Sequence, residues 1–360
     1  MTTTGALFGV PDVLSAEELA ATARFIADCQ RPDGQIPWFP GGHCDPWNHV
    51  EAAMGLTVAG HLEGARAAYR WLARTQLGDG SWFNYYLEDR VRDARLDTNV
   101  CAYVAVGVYH YLLVTGDEAL AGALWPTVER ALDFVLAHQR PDGTITWSLD
   151  AQGRSEGYAL LTGSSSVFLS VRCAAALARA LGRDRPDWLA AAGRLGHAIT
   201  HHPGAFAPKN EFAMDWYYPV LGGALTGARA AARLDEGVER HVMEGAGVRC
   251  VSTNDWVTAA ETAECALALD AIGETNRALE LFALTTRHRR ADGAYWTGVA
   301  YPGAVTFPHR EVTTYTAAAV LLAADALTSH TGAAGLFRHD ESPFAPVEDL
   351  AEPGCAARRA

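Results

Sequence analysis

Acidic and aromatic side chains occur together in an otherwise apolar stretch of this sequence, PKNEFAMDWYYPVL. Glu211 and Asp215 lie four residues apart and are followed by Trp216, Tyr217 and Tyr218. Residues at this spacing share one face of a helix. A carboxyl group among aromatic rings costs desolvation free energy unless it has a partner or a catalytic task. The stretch therefore indicates a catalytic role for Asp215, with a cap on a neighbouring helix as the structural alternative.

A second acidic pair, Glu261 and Glu264, lies three residues apart in NDWVTAAETAECALAL. Both side chains fall on one helix face. Two neighbouring carboxyl groups can separate their pKa values into acid and base roles. The alternative is a simple ion pair with Arg249 or Arg172.

Two further candidate catalytic residues, Asp97 and His49, lie at or near the starts of other apolar stretches. Asp97 precedes TNVCAYVAV, and His49 lies in PWNHVEAAMG. Asp45 and Asp97 both stand where an N-cap residue accepts backbone N–H groups, so capping alone is the alternative for each. Residues near the same starts form the candidate substrate-binding set, which is Asp45, Trp47, Asn99, Tyr103, Lys209, Glu211, Trp216, Tyr217, Tyr218, Asp255, Trp256, His309, Glu311 and Tyr315.

A repeated motif spaces these stretches along the chain. It reads QRPDGQIPW from Gln30, QLGDGSW from Gln76, QRPDGTITW from Gln139 and RRADGAYW from Arg289, with weaker versions from His201 and Glu244. An amphipathic helix is predicted before each motif and a nearly all-apolar helix after it. An apolar helix must be covered on most sides. The pattern therefore predicts an all-α fold, an (α/α)6 toroid of six helical hairpins.

The direction of the chain places the candidate residues at one end of this toroid. Each motif leads from an outer helix into an inner one, so all six inner helices start at the same rim. Helix N-termini carry free N–H groups and partial positive charge. We expect the site at this rim.

Composition excludes several classes of function. The net charge is -13 and Lys209 is the only lysine, which argues against nucleic acid and anionic membranes as partners. No transmembrane span is expected. Seven cysteines without a C-x-x-C pair suit reduced thiols in a cytoplasmic protein. We expect one toroid domain over residues 1–335 and a flexible tail over 336–360, which is rich in proline and charge.

The pattern L-x3-Q-x2-D-G-x-W, from Leu72 to Trp82, resembles the repeat of squalene cyclases and protein prenyltransferases. This resemblance implies a terpenoid-cyclase-like enzyme acting on an isoprenoid. Asp97 or Asp215 would then protonate the substrate, and aromatic rings would stabilise the cation. The D-x-D-D acid motif of squalene cyclases is absent, and LDTN at residues 96–99 holds a single aspartate in its place.

Two other functions fit the same residues. Single-toroid glycosidases, lyases and sugar isomerases share this architecture, and paired carboxyl groups with tryptophans would suit a carbohydrate-active enzyme. A non-catalytic toroid that binds a small molecule is the second alternative. Sequence motifs for zinc, nucleotide phosphates and dinucleotides are absent, so we expect a small-molecule substrate and neither a metal nor a cofactor.

Overall fold

The helices of the chain form two concentric rings. The computed structural model describes residues 8–339, 344 and 347–350. Helices within these residues are α1 (Ala16–Cys29), α2 (Pro46–Val58), α3 (Leu62–Thr75), α4 (Thr98–Ala102), α5 (Val104–Thr115), α6 (Glu118–Leu136), α7 (Leu161–Ala180), α8 (Pro186–His201), α9 (Ala213–Leu221), α10 (Gly227–His241), α11 (Ala259–Ala271), α12 (Thr275–Ala283) and α13 (Thr314–Thr328). Short 3-10 helices cover Pro203–Ala205 and Leu284–His288.

The inner ring closes on itself. Helix α2 contacts α5, and contacts continue from α5 to α7, α9, α11 and α13, which returns to α2. Helix α4 lies directly before α5 and forms the start of the same inner element. Outer helices α1, α3, α6, α8, α10 and α12 cover this ring from outside. The predicted (α/α)6 toroid is therefore confirmed.

Burial separates the two kinds of helix. Outer helix α3 buries one face, with Ala65, Ala68, Tyr69, Trp71 and Leu72, and exposes the other. In inner helix α2 every residue except Asn48 is buried. A helix buried on all sides has no polar stripe, which explains why the inner stretches are apolar throughout.

The repeated motif joins neighbouring outer helices. The side-chain amide of Gln76 donates to the carbonyls of Gly80, in its own turn, and Thr127, in α6, at 2.9 and 2.8 Å. Gln30 and Gln139 make the same pair of bonds, to their own turn and to the next outer helix.

Glycine in the motif permits close contact between these helices. Gly80 has φ +96, and a Cβ there would lie 2.2 Å from the carbonyl oxygen of Arg130 in α6. The last motif makes the equivalent contact with the first helix. A Cβ at Gly293 would lie 2.4 Å from the carbonyl carbon of Ala21 in α1. The motif therefore builds and closes the outer ring.

The rim loops carry short antiparallel strands. Strands β1 (Tyr85–Leu87) and β2 (Arg90–Asp93) form one pair, and β3 (Leu96–Asp97) and β4 (Ser148–Leu149) form another. A five-stranded sheet joins the last two rim loops and consists, in order, of β5 (Val242–Met243), β6 (Gly247–Arg249), β7 (Trp256–Thr258), β8 (Gly298–Ala300) and β9 (Val305–Thr306). Val257 faces Val299 across β7 and β8. Local sequence patterns did not indicate this sheet because it pairs segments from separate loops.

Two inner segments are long and apolar enough to cross a membrane. These are Thr98–Thr115 and Leu161–Ala180, of which 78% and 83% are buried within the fold. Both belong to the inner ring, and core helices of this kind satisfy the same length and composition criteria.

Part of the expected C-terminal tail packs against the toroid. Leu336 and Phe337 are buried, and the His339 ring lies 2.9 Å from the carbonyl of Leu221 in α9. The expectation of a flexible tail also covers residues 340–343, 345–346 and 351–360, which lie outside the described residues. The domain division at residue 335 stays a prediction.

Candidate active site

Two carboxyl groups of the site belong to residues that cap the N-termini of inner helices. Asp45 is the N-cap of α2, and its Oδ1 accepts the N–H of Asn48 at 2.9 Å. Its Oδ2 accepts the indole N–H of Trp38 at 2.5 Å and the side-chain amide of Asn48 at 2.7 Å. Burial raises the pKa of Asp45, and these hydrogen bonds partly offset the rise.

Asp97 has the same role on the next inner helix but is less buried. As the N-cap of α4, it accepts the backbone N–H groups of Asn99 and Val100 on Oδ1, at 2.9 and 3.1 Å. Its Oδ2 accepts the indole N–H of Trp147 at 2.6 Å. Burial raises the pKa of Asp97 to about 6, with a smaller contribution from the nearby Asp45 charge. Asp97 is therefore half-buried and able to carry a proton near neutral pH.

The acidic pair of α11 faces the same space. Oε1 of Glu264 accepts the hydroxyl of Tyr218 at 2.8 Å, and Oε2 accepts the hydroxyl of Tyr217. Burial raises the pKa of Glu264 to about 7, and the two tyrosine hydrogen bonds oppose this rise. Glu261 is half-buried in the first turn of α11. Its charge raises the pKa of Glu264, Tyr217 and Tyr315, so its carboxyl group lies among these side chains.

Glu51 is a buried carboxyl group that the predicted site did not include. Its side chain makes no hydrogen bond with a residue that the structure describes, although it is only 3% exposed. Burial, and then the charges of Glu264, Asp45 and Glu261, raise the pKa of Glu51 well above its ordinary value. Glu51 therefore favours its protonated form more strongly than an exposed glutamate does, and it lies close to the acidic residues of α11.

A polar layer forms the bottom of the site. Five inner elements each contribute their sixth residue to this layer. These residues are Glu51, Tyr103 (counted from the start of α4), Ser166, Tyr218 and Glu264. One turn deeper, at the ninth position, lie Leu169, Leu221, Leu267 and Leu322. This regular depth is a sequence signal that could have identified Glu51.

Aromatic side chains surround the mouth. Tyr85 lies between the two N-cap aspartates, since the charges of both Asp45 and Asp97 act on its hydroxyl. Trp38 packs edge-on against Tyr85 and Tyr315, with ring centroids 6.1 and 5.0 Å apart. Sequence reasoning missed Trp38 and Tyr85, which lie in loops and not at helix starts.

Several predicted binding residues also lie at this mouth. Trp47 stacks on Tyr103 with ring centroids 4.3 Å apart and donates its indole N–H to Ser166 at 3.2 Å. Oδ1 of Asn99 is buried and makes no hydrogen bond within the described part of the chain. The site therefore brings together Asp45, Trp47, Asp97, Asn99, Tyr103, Tyr217, Tyr218, Glu261, Glu264 and Tyr315, of which Tyr103, Tyr218 and Glu264 belong to its bottom layer.

His49 does not belong to this group. Its ring is fully buried, Nδ1 accepts the N–H of Ile36 at 3.0 Å, and Nε2 donates to the carbonyl of Ala68 in α3 at 3.0 Å. Burial lowers the pKa of His49 to about 4. The expected catalytic role is therefore wrong, because both ring nitrogens already hold backbone groups between α2 and its outer neighbour.

Asp215 adopts its structural alternative. Its Oδ1 accepts both the backbone N–H and the hydroxyl of Thr162, in the first turn of α7. Trp216 faces the outer ring, where it donates to the carbonyl of Arg233 at 2.8 Å and stacks on His241. Asp215 therefore caps a neighbouring helix, and Trp216 fills the space between α9 and α10.

The remaining predicted residues lie in the rim loops, and among them Glu311 is close enough to Tyr315 for its charge to raise the pKa of that hydroxyl. Exposed Lys209 packs over Phe212, and the Glu211 carbonyl accepts the N–H of Ser252. Asp255 forms an exposed ion pair with Arg249 at 3.0 Å. In the rim sheet, Trp256 donates to the carbonyl of Phe307 at 2.9 Å. His309 is exposed, and Glu311 accepts the hydroxyl of Thr297 at 3.1 Å.

Similarity to a characterised protein decides between the alternatives. The chain is 52% identical over 335 residues to the MMP endo-(1,4)-3-O-methyl-alpha-D-mannosidase of Mycolicibacterium hassiacum, covering 93% of each chain. The chain belongs to the family of this endo-mannosidase. No protein-family model matches it.

Solved structures agree with the toroid fold of this endo-mannosidase family member. A glycosidase variant in complex with glucose has a TM-score of 0.69 at 15% identity, covering 87% of this chain and 96% of its own. A D-mannose isomerase has a TM-score of 0.67 at 11% identity, with the same coverage. An alpha-amylase from Clostridium perfringens has a TM-score of 0.60 at 11% identity, covering 85% of this chain and 97% of its own. These likenesses show the fold alone.

Membership of the endo-mannosidase family corrects the terpenoid interpretation. The resemblance to squalene cyclases and prenyltransferases, and the isoprenoid substrate that it implied, are wrong. The physical reason is that the glutamine and glycine of the repeat fasten outer helices to one another, so the pattern reports the fold and not the substrate. The carbohydrate-active alternative is the one that the relatives support.

Proposed function

We propose that this protein is an endo-acting glycosidase that hydrolyses internal α-1,4 linkages of an oligomannoside carrying 3-O-methyl groups. The name of the Mycolicibacterium hassiacum relative, at 52% identity, supports this substrate class. The observation that carries the reaction type is the set of carboxyl groups around a single aromatic mouth. Aromatic rings stack on sugar faces, and separated carboxyl groups serve as acid and base.

We assign the general acid to Asp97. Its carboxyl group is half-buried at the mouth, and its pKa of about 6 keeps a useful protonated fraction near neutral pH. Three hydrogen bonds fix its orientation, with two backbone N–H groups on Oδ1 and one indole N–H on Oδ2. Asp97 would give its proton to the glycosidic oxygen as the bond from that oxygen to the anomeric carbon breaks.

Glu261 is the general base in this assignment. It stands in the first turn of α11, across the mouth from Asp97, and is half-buried. Glu261 would take a proton from water while the water oxygen bonds to the anomeric carbon. Asp45 and Glu264, each held by donors from tryptophan, asparagine or tyrosine, would bind sugar hydroxyl groups beside this pair.

The test is cleavage of a defined α-1,4-linked 3-O-methylmannoside oligomer by the full-length protein, followed by mass spectrometry. We expect oligosaccharide products from internal cleavage. Asp97→Asn and Glu261→Gln should each lower kcat/KM about 100-fold or more while the fold is retained in circular dichroism. Asp255→Asn is the matched control, since it removes an acid of the same rim held in a surface ion pair, and should change kcat/KM less than about threefold.

Two results would contradict the proposal. Release of single sugars from one chain end would exclude endo cleavage. Near-normal rates in both Asp97→Asn and Glu261→Gln would exclude these residues as the acid and the base.

A further inference from the structure

A cluster of histidines and one aspartate lies on the outside of the toroid, away from the mouth. His197 and His201 are four residues apart near the end of α8, and Asp349 belongs to the segment 347–350 that crosses this helix. A Cβ at Gly193, one turn earlier, would lie 2.4 Å from the carbonyl oxygen of Glu348. This glycine lets the segment approach the helix backbone closely.

The distances within the cluster are short. Nδ1 of His197 lies 2.6 Å from Oδ1 of Asp349, and Nε2 of His201 lies 3.3 Å from Oδ2. The two imidazole rings have centroids 4.7 Å apart. One ligand atom from each of the three residues falls within 4.8 Å of the others. Three donors converge from two separate parts of the chain.

Donor types and spacing match a transition-metal site. Histidines at i and i+4 on one helix face are a common metal-binding pair, and a carboxylate oxygen is a common third ligand. Bonds of about 2.0–2.2 Å to a tetrahedral ion put ligand atoms about 3.4 Å apart, close to the distance between His201 and Asp349. Two imidazoles favour zinc-like ions over calcium or magnesium.

We propose that His197, His201 and Asp349 bind one zinc-class divalent ion that fastens residues 347–350 to α8. Water would complete the coordination. The site plays no part in the glycosidase chemistry, and it differs from the expectation that the protein binds no metal. Ion binding replaces the hydrogen bond between His197 and Asp349 with two metal–ligand bonds.

The experiment is a titration of the untagged full-length protein with Zn²⁺, with bound metal quantified by elemental analysis after dialysis. We expect one equivalent per chain at pH 7.5. His201→Ala and Asp349→Asn should each weaken the affinity about 100-fold or more, beyond the 10–100-fold that outer partners contribute. His61→Ala is the control histidine, remote in sequence from the cluster, and should retain wild-type affinity. Equal affinity in all variants, or no binding up to millimolar Zn²⁺, would overturn the proposal.

Two further measurements distinguish this site from the cysteines and test the role of the segment. The Co²⁺-loaded protein should show visible bands for nitrogen and oxygen ligands, whereas a thiolate charge-transfer band in the near ultraviolet would assign the metal to cysteine and refute the site. A glutamate-specific protease should cut after the exposed Glu348 more slowly with Zn²⁺ than with EDTA. Asp349→Asn should abolish this protection, and protection that persists in this variant would refute the fastening role.

Discussion

At the scale of single residues, two N-cap aspartates with almost the same hydrogen-bond pattern differ in their exposure to the mouth. Asp45 is only 3% exposed, and each of its oxygens has a donor from its own helix start or from Trp38. Asp97 has one Oδ2 partner, Trp147, and is half-buried. Capping and catalysis are therefore compatible in Asp97, because the cap occupies one oxygen and leaves a lone pair on the other.

This arrangement predicts the pH dependence of activity. An acid with a pKa of about 6 loses its proton as the pH rises through 6, so kcat/KM should fall on the alkaline side of that value. The indole of Trp147 stabilises the ionised form of Asp97, and its removal raises the pKa. In the Trp147→Phe variant, we expect the alkaline fall of kcat/KM to move to higher pH by about one unit. The pH–rate profile of both proteins checks this, and a limb that moves to lower pH would contradict the assignment of Asp97.

Glu264 predicts a pH dependence of stability. Burial raises its folded-state pKa from 4.5 to about 7, so its contribution to stability is complete below pH 4.5 and is lost as the pH rises through 7. The free energy of unfolding should therefore decrease between pH 5 and 8, by about 1–3 kcal/mol from this group. Glu264→Gln should make the free energy of unfolding less dependent on pH, whether or not the variant is less stable overall. Urea unfolding at several pH values measures this pH dependence. An unchanged pH dependence in the variant would show that a group other than Glu264 is responsible.

At the scale of elements, the motif that punctuates the sequence determines how outer helices meet. Each glutamine holds two carbonyls, one in its own turn and one in the following outer helix. Each motif glycine takes a positive φ where no side chain fits. The glutamine and glycine of the repeat thus build the fold, whereas the tryptophans of two motifs, Trp38 and Trp147, donate to Asp45 and Asp97 at the mouth.

The motif glycines predict an asymmetry within one turn. A Cβ at Gly80 would meet the Arg130 backbone, and the positive φ adds strain, so Gly80→Ala should lower the free energy of unfolding by roughly 2–4 kcal/mol. Gly78, two residues earlier, has nothing within 4 Å of an added Cβ. Gly78→Ala should change stability by less than about 1 kcal/mol. Chemical denaturation of both variants checks this, and equal losses would show that the turn tolerates a side chain.

The sequence predicted the arrangement of the helices better than it predicted where individual side chains of the inner helices point. The outer helices have a 3.6-residue period because one face meets water, so their number and order could be predicted. Inner helices are buried on every side and show no such period. His49 and Trp216 were therefore assigned to the mouth although they face the outer ring. Asp215 caps α7 at Thr162, more than 50 residues earlier in the sequence, and no local sequence pattern reveals such a contact.

At the scale of the whole molecule, the order of the inner helices determines where the proposed acid and the proposed base lie. Asp97 begins the second inner element of the ring and Glu261 lies in the first turn of the fifth. In a closed ring of six, the second and fifth members are opposite. With neighbouring axes 8–10 Å apart, opposite axes lie roughly 16–20 Å apart, and both side chains extend inward from them.

This separation predicts the stereochemical outcome. Carboxyl groups from opposite helices leave room for a water molecule and suit the ~6.5–9.5 Å spacing of inverting glycosidases better than the ~5–5.5 Å of retaining ones. An α-linked substrate should therefore release the β-anomer first. Proton NMR in the first minutes after mixing detects it, with the same sample after mutarotation as the reference. An initial α-anomer would mean that the two groups lie closer together.

The contact between the final motif and α1 has a consequence for how the protein comes apart. Arg289, in place of the motif glutamine, donates to the carbonyl of Glu18 and lies 3.3 Å from its carboxylate, while Gly293 rests on Ala21. An open array of hairpins has two end units with a single neighbour each, and such ends fray first. Here the first and last hairpins are neighbours, so no hairpin is terminal in space. Unfolding of any one hairpin exposes two new ends at once. We therefore expect the six hairpins to unfold cooperatively.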